Sequence, residues 1–198
     1  MTRQTCSRRT RSRQRLSLVF LPLALLLAAC QPEAATQPPE PVAMTATSLG
    51  HYCQMNLLEH PGPKAQVHLA GMDGKPLFFS QVRDAIAYQR MPEQSGVITA
   101  IYVSDMGAAE SWDTPGADNW IAADTAIYVT GAKVQGGMGA PELVPFSSRE
   151  KAEAFAAAQG GGQLVTLTDI PDGDVLAPVD FATDADGNFL PPENATLN

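Results

Sequence analysis

The sequence has few of the residue types that most catalytic and nucleic-acid sites require. Its 198 residues include only three cysteines and three histidines, and 13 basic residues stand against 21 acidic ones. Six of the basic residues are arginines that precede residue 30, so seven remain beyond it, and the formal net charge of that part is −14. A surface this acidic disfavours nucleic acid and anionic lipid headgroups as partners.

Familiar catalytic and cofactor motifs are also missing. No nucleophile-elbow motif accompanies the histidines, so a Ser-His-Asp set has no visible nucleophile. No glycine-rich loop follows a strand and opens a helix, which argues against a phosphate-binding enzyme. The cysteines and histidines do not fall at a zinc spacing. We therefore predict that the protein is not an enzyme.

The first 29 residues have the pattern of an export signal. An arginine-rich start precedes an apolar run from Leu16 to Leu27, which is too short to span a membrane. The run ends in Leu-Ala-Ala-Cys30, which resembles the lipobox of bacterial lipoproteins and implies a lipid such as palmitate on Cys30. Cys6 would leave with the signal. Cys53 would then be the one remaining free thiol.

The segments that flank the centre of the chain have little apolar periodicity. Residues 30–48 are rich in Pro, Ala, Thr and Gln, which predicts a flexible, lipid-anchored tether. Residues 172–198 contain many Asp, Gly and Pro residues, and we predict a mostly irregular tail there. The acidic stretch 107–119 predicts a long surface loop, which is either functional or a solvated connector.

An internal repeat organises the rest of the chain. A shift of 67 residues aligns Phe79-Ser80 with Phe146-Ser147 without a gap, and the helical and strand patterns that follow also match. Ser80 and Ser147 are the predicted helix caps, and Glu150 would complete a capping box with Ser147. The pattern predicts an α+β fold of two packed ββαβ units, at 49–106 and 120–171. The predicted strands are 65–70, 76–79, 97–103, 126–130, 142–146 and 164–170.

Soft sulfur donors are the chemistry that the sequence does offer. Thiolate and thioether ligands select Cu(I), and in an extended segment Cys53 and Met55 would point the same way. Met138 is the third candidate because the surrounding glycines let its backbone approach another segment closely. His51 is either a further ligand or a solvated loop histidine, and the residues leave both open. The other methionines fall in the tether (Met44) or are expected to pack (Met72, Met91, Met106).

These motifs together resemble one known family. The lipobox, His-Tyr-Cys53-Gln54-Met55, the Trp120-Ile121 segment and Gly-Met138-Gly-Ala-Pro-Glu-Leu-Val-Pro-Phe146 are similar to the nitrous oxide reductase accessory lipoproteins, NosL. The resemblance implies a periplasmic Cu(I) chaperone that serves nitrous oxide reductase in denitrification, together with a membrane ABC-type maturation complex. It also implies units like those of alkylmercury lyase, and a Cys53, Met55 and Met138 ligand set. Family members often have glycine at the position of Gln54.

Two other functions remain open from the residues alone. A thiol-dependent enzyme could use Cys53 for organomercurial or redox chemistry, although no second thiol is available to it. A scaffold lipoprotein would instead bury Cys53 as an inert side chain. The absence of aspartate after Cys30, where Gln31 stands, favours the outer over the inner membrane.

Overall fold

The computed structural model describes residues 37–179, 184–186 and 188, so the predicted signal peptide, Cys30 and the end of the tail lie outside the described residues. The described part is a mixed α+β fold with two small antiparallel sheets, which confirms the α+β part of the prediction. None of the helices in this part has the length and apolar character needed to cross a membrane.

The first sheet has four strands and carries one helix. Strand β1 (Ala65–Leu69) lies in the middle and pairs antiparallel with β2 (Leu77–Phe79) and β3 (Ile98–Ser104). Helix α1 (Val82–Arg90) connects β2 to β3, and β4 (Trp120–Ala122) adds to the free side of β3. Every residue of β1 is buried, because β2 and β3 flank its two edges and α1 packs against it.

The second sheet has three strands in the order β6-β5-β7. Strands β5 (Ile127–Thr130) and β6 (Val144–Phe146) precede helix α2 (Arg149–Ala158), and β7 (Gln163–Val165) returns to pair with β5. The chain order is thus the same in both sheets: two strands are followed by a helix and by a third strand. The third strand pairs with the first of the two, β3 with β1 and β7 with β5. The strand predicted over 164–170 is too long, because a 3-10 turn at Leu167–Asp169 replaces its second half.

Strand β4 joins a different sheet from the one that its position in the chain suggests. The sequence places residues 120–122 at the start of the second unit, but these residues pair with β3. The second sheet also contributes to the first hydrophobic core through Tyr128, which is fully buried and donates a hydrogen bond to the Ala123 carbonyl at 2.8 Å. The two sheets are therefore packed together.

Both helices begin one residue later than predicted. Ser80 and Ser147 are not the caps, because Gln81 and Ser148 occupy the N-cap positions of α1 and α2. The Ser147 hydroxyl instead donates to the buried carboxylate of Asp105. The predicted capping box at Ser147 is consequently wrong.

The beginning of the predicted irregular tail is a helix that packs on α1. Helix α3 (Asp172–Leu176) buries Val175, and the Arg83 guanidinium donates to the Val175 carbonyl at 3.0 Å. Arg90 forms an ion pair with Asp172 at 2.8 Å. The prediction of an irregular segment from residue 172 is therefore wrong for the first five residues.

The last part of the predicted tether also lies against the domain. The side-chain amide of Gln66 accepts a hydrogen bond from the Val42 amide at 2.8 Å and donates one to the Val42 carbonyl at 3.1 Å. Tyr102 donates its hydroxyl proton to the Pro39 carbonyl, and Met44 is only 5% exposed. Residues 39–48 form a docked strap, so the prediction of a flexible tether is wrong for them.

The acidic loop is attached to the second hydrophobic core by an aromatic side chain. Trp112 stacks on Phe155 of α2 with ring centroids 6.2 Å apart, and its carbonyl accepts the Gly62 amide proton at 2.7 Å. The acidic side chains of Glu110 and Asp113 are exposed. The loop is thus solvated at these acidic side chains and anchored through Trp112, and a further hydrogen bond joins the Met44 amide to the Ala117 carbonyl at 2.8 Å.

The docked strap makes a specific prediction about stability. Met44→Ala should lower the free energy of unfolding by about 2 kcal/mol or more, because it removes a buried side chain. Met72→Ala is the matched control, since Met72 lies at the β1–β2 hairpin and is 39% exposed, and its change should be within about 0.5 kcal/mol. Urea denaturation of both variants checks this. Equal losses would contradict a docked Met44.

Candidate metal centre

Cys53 lies in a tight turn that is closed by the backbone on both sides. Leu49 and Asn56 form an isolated antiparallel bridge, and the Gly50 amide donates to the Met55 carbonyl at 3.0 Å. A Cβ on Gly50 would lie 2.4 Å from Cys53 Sγ, so the thiol packs directly over this glycine. A side chain at residue 50 would therefore displace the Cys53 thiol from its observed position.

The segment between the two sulfur residues is not extended, contrary to the prediction. Gln54 has a φ of +56°, which is the one positive φ at a non-glycine among the described residues. Its backbone amide donates to the Gly50 carbonyl at 2.9 Å, and its side-chain amide donates to the His51 carbonyl at 2.7 Å. A left-handed residue normally costs about 1–2 kcal/mol for a side chain other than glycine. A glycine at this position would suit the backbone better than Gln54 does.

Both sulfur side chains of the turn reach solvent. Cys53 is half-buried and is a free thiol, and Met55 is 43% exposed. The scaffold alternative predicted a buried Cys53, and the partial exposure of this residue does not agree with it. The thiol is accessible to a ligand or to another protein.

The His51 ring packs in an aromatic cluster rather than standing in solvent. Its centroid lies 5.5 Å from that of Phe79 and 5.7 Å from that of Tyr88, with both contacts edge to face. Its backbone amide donates to the Phe78 carbonyl at 2.6 Å. His51 is nevertheless only partly buried, so both alternatives for it, a ligand and a loop histidine in contact with solvent, stay predictions.

The loop that carries Met138 is fixed close to the same part of the chain. The Met138 amide donates to Gln81 Oε1 at 2.9 Å, while the residue itself is 39% exposed. The Cys53 turn is attached to Phe78 and the Met138 loop to Gln81. Because three residues of chain span at most about 11 Å, these two attachment points are close together. The structure thus brings both predicted sulfur segments to the junction of β2 and α1.

Two buried charged residues near this junction were missed by the sequence reasoning. Lys64 is 1% exposed and donates from Nζ to the Pro61 and Gly62 carbonyls. Burial lowers the pKa of Lys64 to about 8, and the charges of Glu142 and Cys53 oppose this shift. A cationic group therefore lies within electrostatic range of the thiol. The only sequence feature that could have indicated this buried lysine is its position directly before the apolar strand β1.

Glu142 is the second of these residues, and it caps helix α1 from sixty positions away. Its carboxylate accepts the amide protons of Val82 at 3.3 Å and Arg83 at 3.0 Å. Burial raises the pKa of Glu142 to about 8, and backbone hydrogen bonds from Arg83 and Leu143 oppose the shift. The glutamate of the Pro-Glu-Leu motif thus has a structural task at the start of α1.

The side chains that most often bind zinc, calcium or magnesium are not clustered in the described residues. No group of three or more His, Cys, Asp or Glu side chains in that part of the chain could hold a metal ion together. Sites for zinc, calcium or magnesium need such groups. The thiol of Cys53 and the thioethers of Met55 and Met138 are soft donors of the kind that suit a monovalent ion.

The left-handed Gln54 generates a prediction about two substitutions. Gln54→Gly and Gln54→Ala both remove the side-chain hydrogen bonds, but only glycine adopts the observed φ without strain. Gln54→Gly should therefore be more stable than Gln54→Ala by about 1 kcal/mol. Thermal and urea unfolding of the two variants measures the difference. If they unfold together, the turn is not left-handed at residue 54.

Comparisons with known proteins agree with the predicted family. The family model described as NosL matches residues 41–175. The chain is 59% identical over 175 residues to the copper-binding lipoprotein NosL of Achromobacter cycloclastes, covering 88% of this chain and 89% of that protein. It is 33% identical over 150 residues to the protein of the same name from Stutzerimonas stutzeri, covering 75% and 76%.

A solved structure supports the fold. The crystal structure of the copper chaperone NosL from Shewanella denitrificans matches with a TM-score of 0.62 and 30% identity, covering 69% of this chain and 98% of that one. The names of these relatives describe binding proteins and chaperones and not enzymes, in agreement with the non-enzymatic prediction. Since the family model covers more than half of the chain and two relatives exceed 30% identity over most of it, the chain belongs to the NosL family.

Proposed function

We propose that the protein is a lipid-anchored periplasmic Cu(I) chaperone that supplies copper for the maturation of nitrous oxide reductase. The observation that carries the proposal is the turn in which Cys53 and Met55 are both accessible, beside the junction that also fixes the Met138 loop. Relatives over most of the chain are named as copper-binding lipoproteins, which supports copper as the cargo.

The proposed ligands are the Cys53 thiolate and the thioethers of Met55 and Met138. A single anionic sulfur with two neutral ones matches the preference of monovalent copper for soft donors and low coordination numbers. His51, two residues before Cys53, is the candidate fourth donor through a ring nitrogen. The accessible sulfurs allow an acceptor to add its own ligand before the chaperone loses one, so that copper passes by ligand exchange.

The remaining parts of the proposal rest on the family resemblance and on the N-terminal motif. Copper would pass to nitrous oxide reductase with the help of a membrane ABC-type maturation complex. A lipid on Cys30 would hold the protein at a membrane surface in the periplasm, with the outer membrane favoured by Gln31. We also propose that the two ββαβ units arose by duplication and are related to those of alkylmercury lyase. No lyase activity is expected, because one free thiol is too few.

Copper titration tests the ligand set. Purified full chain in detergent is titrated with Cu(I) under anaerobic conditions against a competing chelator. Cys53→Ser should abolish tight 1:1 binding, because it removes the anionic donor. Met55→Leu and Met138→Leu should each weaken binding by about ten-fold or more, since each removes one ligand.

Met72→Leu is the matched control for the methionine variants, because Met72 has the same 39% exposure as Met138 and lies at a hairpin remote from the predicted ligands in sequence. Its affinity should equal that of the wild type. Tight binding that survives Cys53→Ser, or that Met72→Leu weakens as much as Met138→Leu does, would contradict the proposed site.

Delivery needs a separate test in a host that makes nitrous oxide reductase. Replacing the native chain with Cys53→Ser should lower the copper content of the purified reductase, whereas Met72→Leu should not. Copper per reductase monomer, measured by elemental analysis, is the readout. Full copper loading with Cys53→Ser at normal chaperone levels would refute the delivery role and leave copper binding as a separate question.

A further inference from the structure

Gln81 is an unusual residue for the start of a helix. It occupies the N-cap position of α1, but its side chain makes no capping hydrogen bond. Ser, Thr, Asp, Asn and Gly are the residues that this position normally favours. The amide groups of the first turn are capped by Glu142 instead. The Gln81 side chain is therefore free for another interaction.

That interaction is with the backbone of the Met138 loop. Gln81 is 2% exposed, and its Oε1 accepts amide protons from Met138 at 2.9 Å and from Ala140 at 3.4 Å. Its Nε2 donates to Asp84 at 3.2 Å, which fixes the orientation of the amide. A buried side chain thus determines where the backbone of an exposed methionine lies.

The neighbouring glycines press the loop onto the same residues. A Cβ on Gly136 would lie 2.7 Å from Gln81 Oε1, and a Cβ on Gly137 would lie 2.7 Å from the Cβ of His60 and 3.1 Å from the Ser80 carbonyl. Real Cβ atoms do not approach so closely, so larger residues would push the loop away. The two residues that precede Met138 are therefore held tightly against Gln81, Ser80 and His60.

We propose that Gln81 is a positioning residue that sets the Met138 thioether against the Cys53 and Met55 sulfurs. This inference rests on the proposed Cu(I) site and adds a residue that does not touch the metal. The Cys53 turn is anchored to Phe78, three residues before Gln81, so one rigid segment relates the two sulfur loops. Groups that orient a metal ligand typically change affinity by 10- to 100-fold when they are removed.

Gln81→Asn is the most informative substitution. Asparagine keeps the amide but is one methylene shorter, so its oxygen can no longer reach the Met138 amide. Glu142 still caps the first turn of α1 in this variant, so the chain should stay folded, with a Tm lowered modestly by the loss of the buried hydrogen bonds to the Met138 loop. Cu(I) affinity of the full chain should fall about ten-fold in the chelator competition, and copper X-ray absorption should show two sulfur neighbours instead of three.

A double-mutant cycle with Met138→Leu separates positioning from a general effect. In the Met138→Leu background, Gln81→Asn should cause no further loss of affinity, because the thioether that it positions is already gone. Gln89→Asn, the same change at the other end of α1, is the control and should leave affinity unchanged. If Gln81→Asn lowers the Tm by several degrees, the cycle is repeated with Gln81→Met. That variant keeps the length of the side chain and removes the oxygen that accepts the Met138 amide proton.

The outcomes distinguish this inference from the function on which it rests. Equal loss of affinity in both backgrounds, or no loss with Met138 present, overturns the role of Gln81 and leaves the copper site standing. If Met138→Leu alone leaves the Cu(I) affinity unchanged, the role of Gln81 is overturned too, because Met138 is then not a ligand that Gln81 could position. If the wild type does not bind Cu(I), or binds it equally well after Cys53→Ser, both proposals are overturned.

Discussion

The arrangement of the candidate centre depends on the short segment from Phe78 to Gln81, where β2 runs into α1. The Phe78 carbonyl holds the Cys53 turn through the His51 amide, and the Gln81 side chain holds the Met138 loop. Neither loop belongs to a helix or strand of its own. Their relative position is therefore as rigid as this junction, which the buried carboxylate of Glu142 stabilises by capping α1. Losing that cap would disturb both sulfur segments together.

The local patterns predicted most of the helices and strands correctly, because their signals lie in neighbouring residues. The apolar stripe of Val82, Ala85 and Ile86 faces the core as its helical spacing indicates. The errors at the helix starts have a different origin. Whether a serine caps a helix depends on its competing partners, and the Ser147 hydroxyl binds Asp105, which lies 42 residues earlier. No local pattern contains that information, and the same holds for the pairing of β4 with β3.

The docked strap and α3 show why composition misjudged the two flanking segments. Each is short and polar overall, which is typical of unstructured chain. Each is nevertheless fixed by one buried apolar side chain, Met44 or Val175, and by a hydrogen-bonding side chain of the main fold, Gln66 or Arg83. One buried apolar residue does not produce the periodic pattern of apolar residues from which a helix or strand is predicted. Cys53, Met55 and Met138, by contrast, were predicted from donor chemistry, which residue type alone reveals. The hydrogen bond from the Met138 amide to Gln81 joins residues 57 positions apart, and no local pattern indicates it.

The Cys53 turn combines a fixed backbone with accessible side chains, and this combination bears on how a metal could be exchanged. The β-bridge between Leu49 and Asn56 and the hydrogen bond from the Gly50 amide to the Met55 carbonyl hold the backbone of the turn. The backbone therefore loses little conformational entropy when a ligand binds. The strain of the left-handed Gln54 is offset by hydrogen bonds from its amide to two backbone carbonyls. A chaperone must bind its ion firmly and still release it. Fixed donors favour the first requirement, and sulfurs open to a partner's ligands favour the second, because the partner can bind the ion before the chaperone lets go.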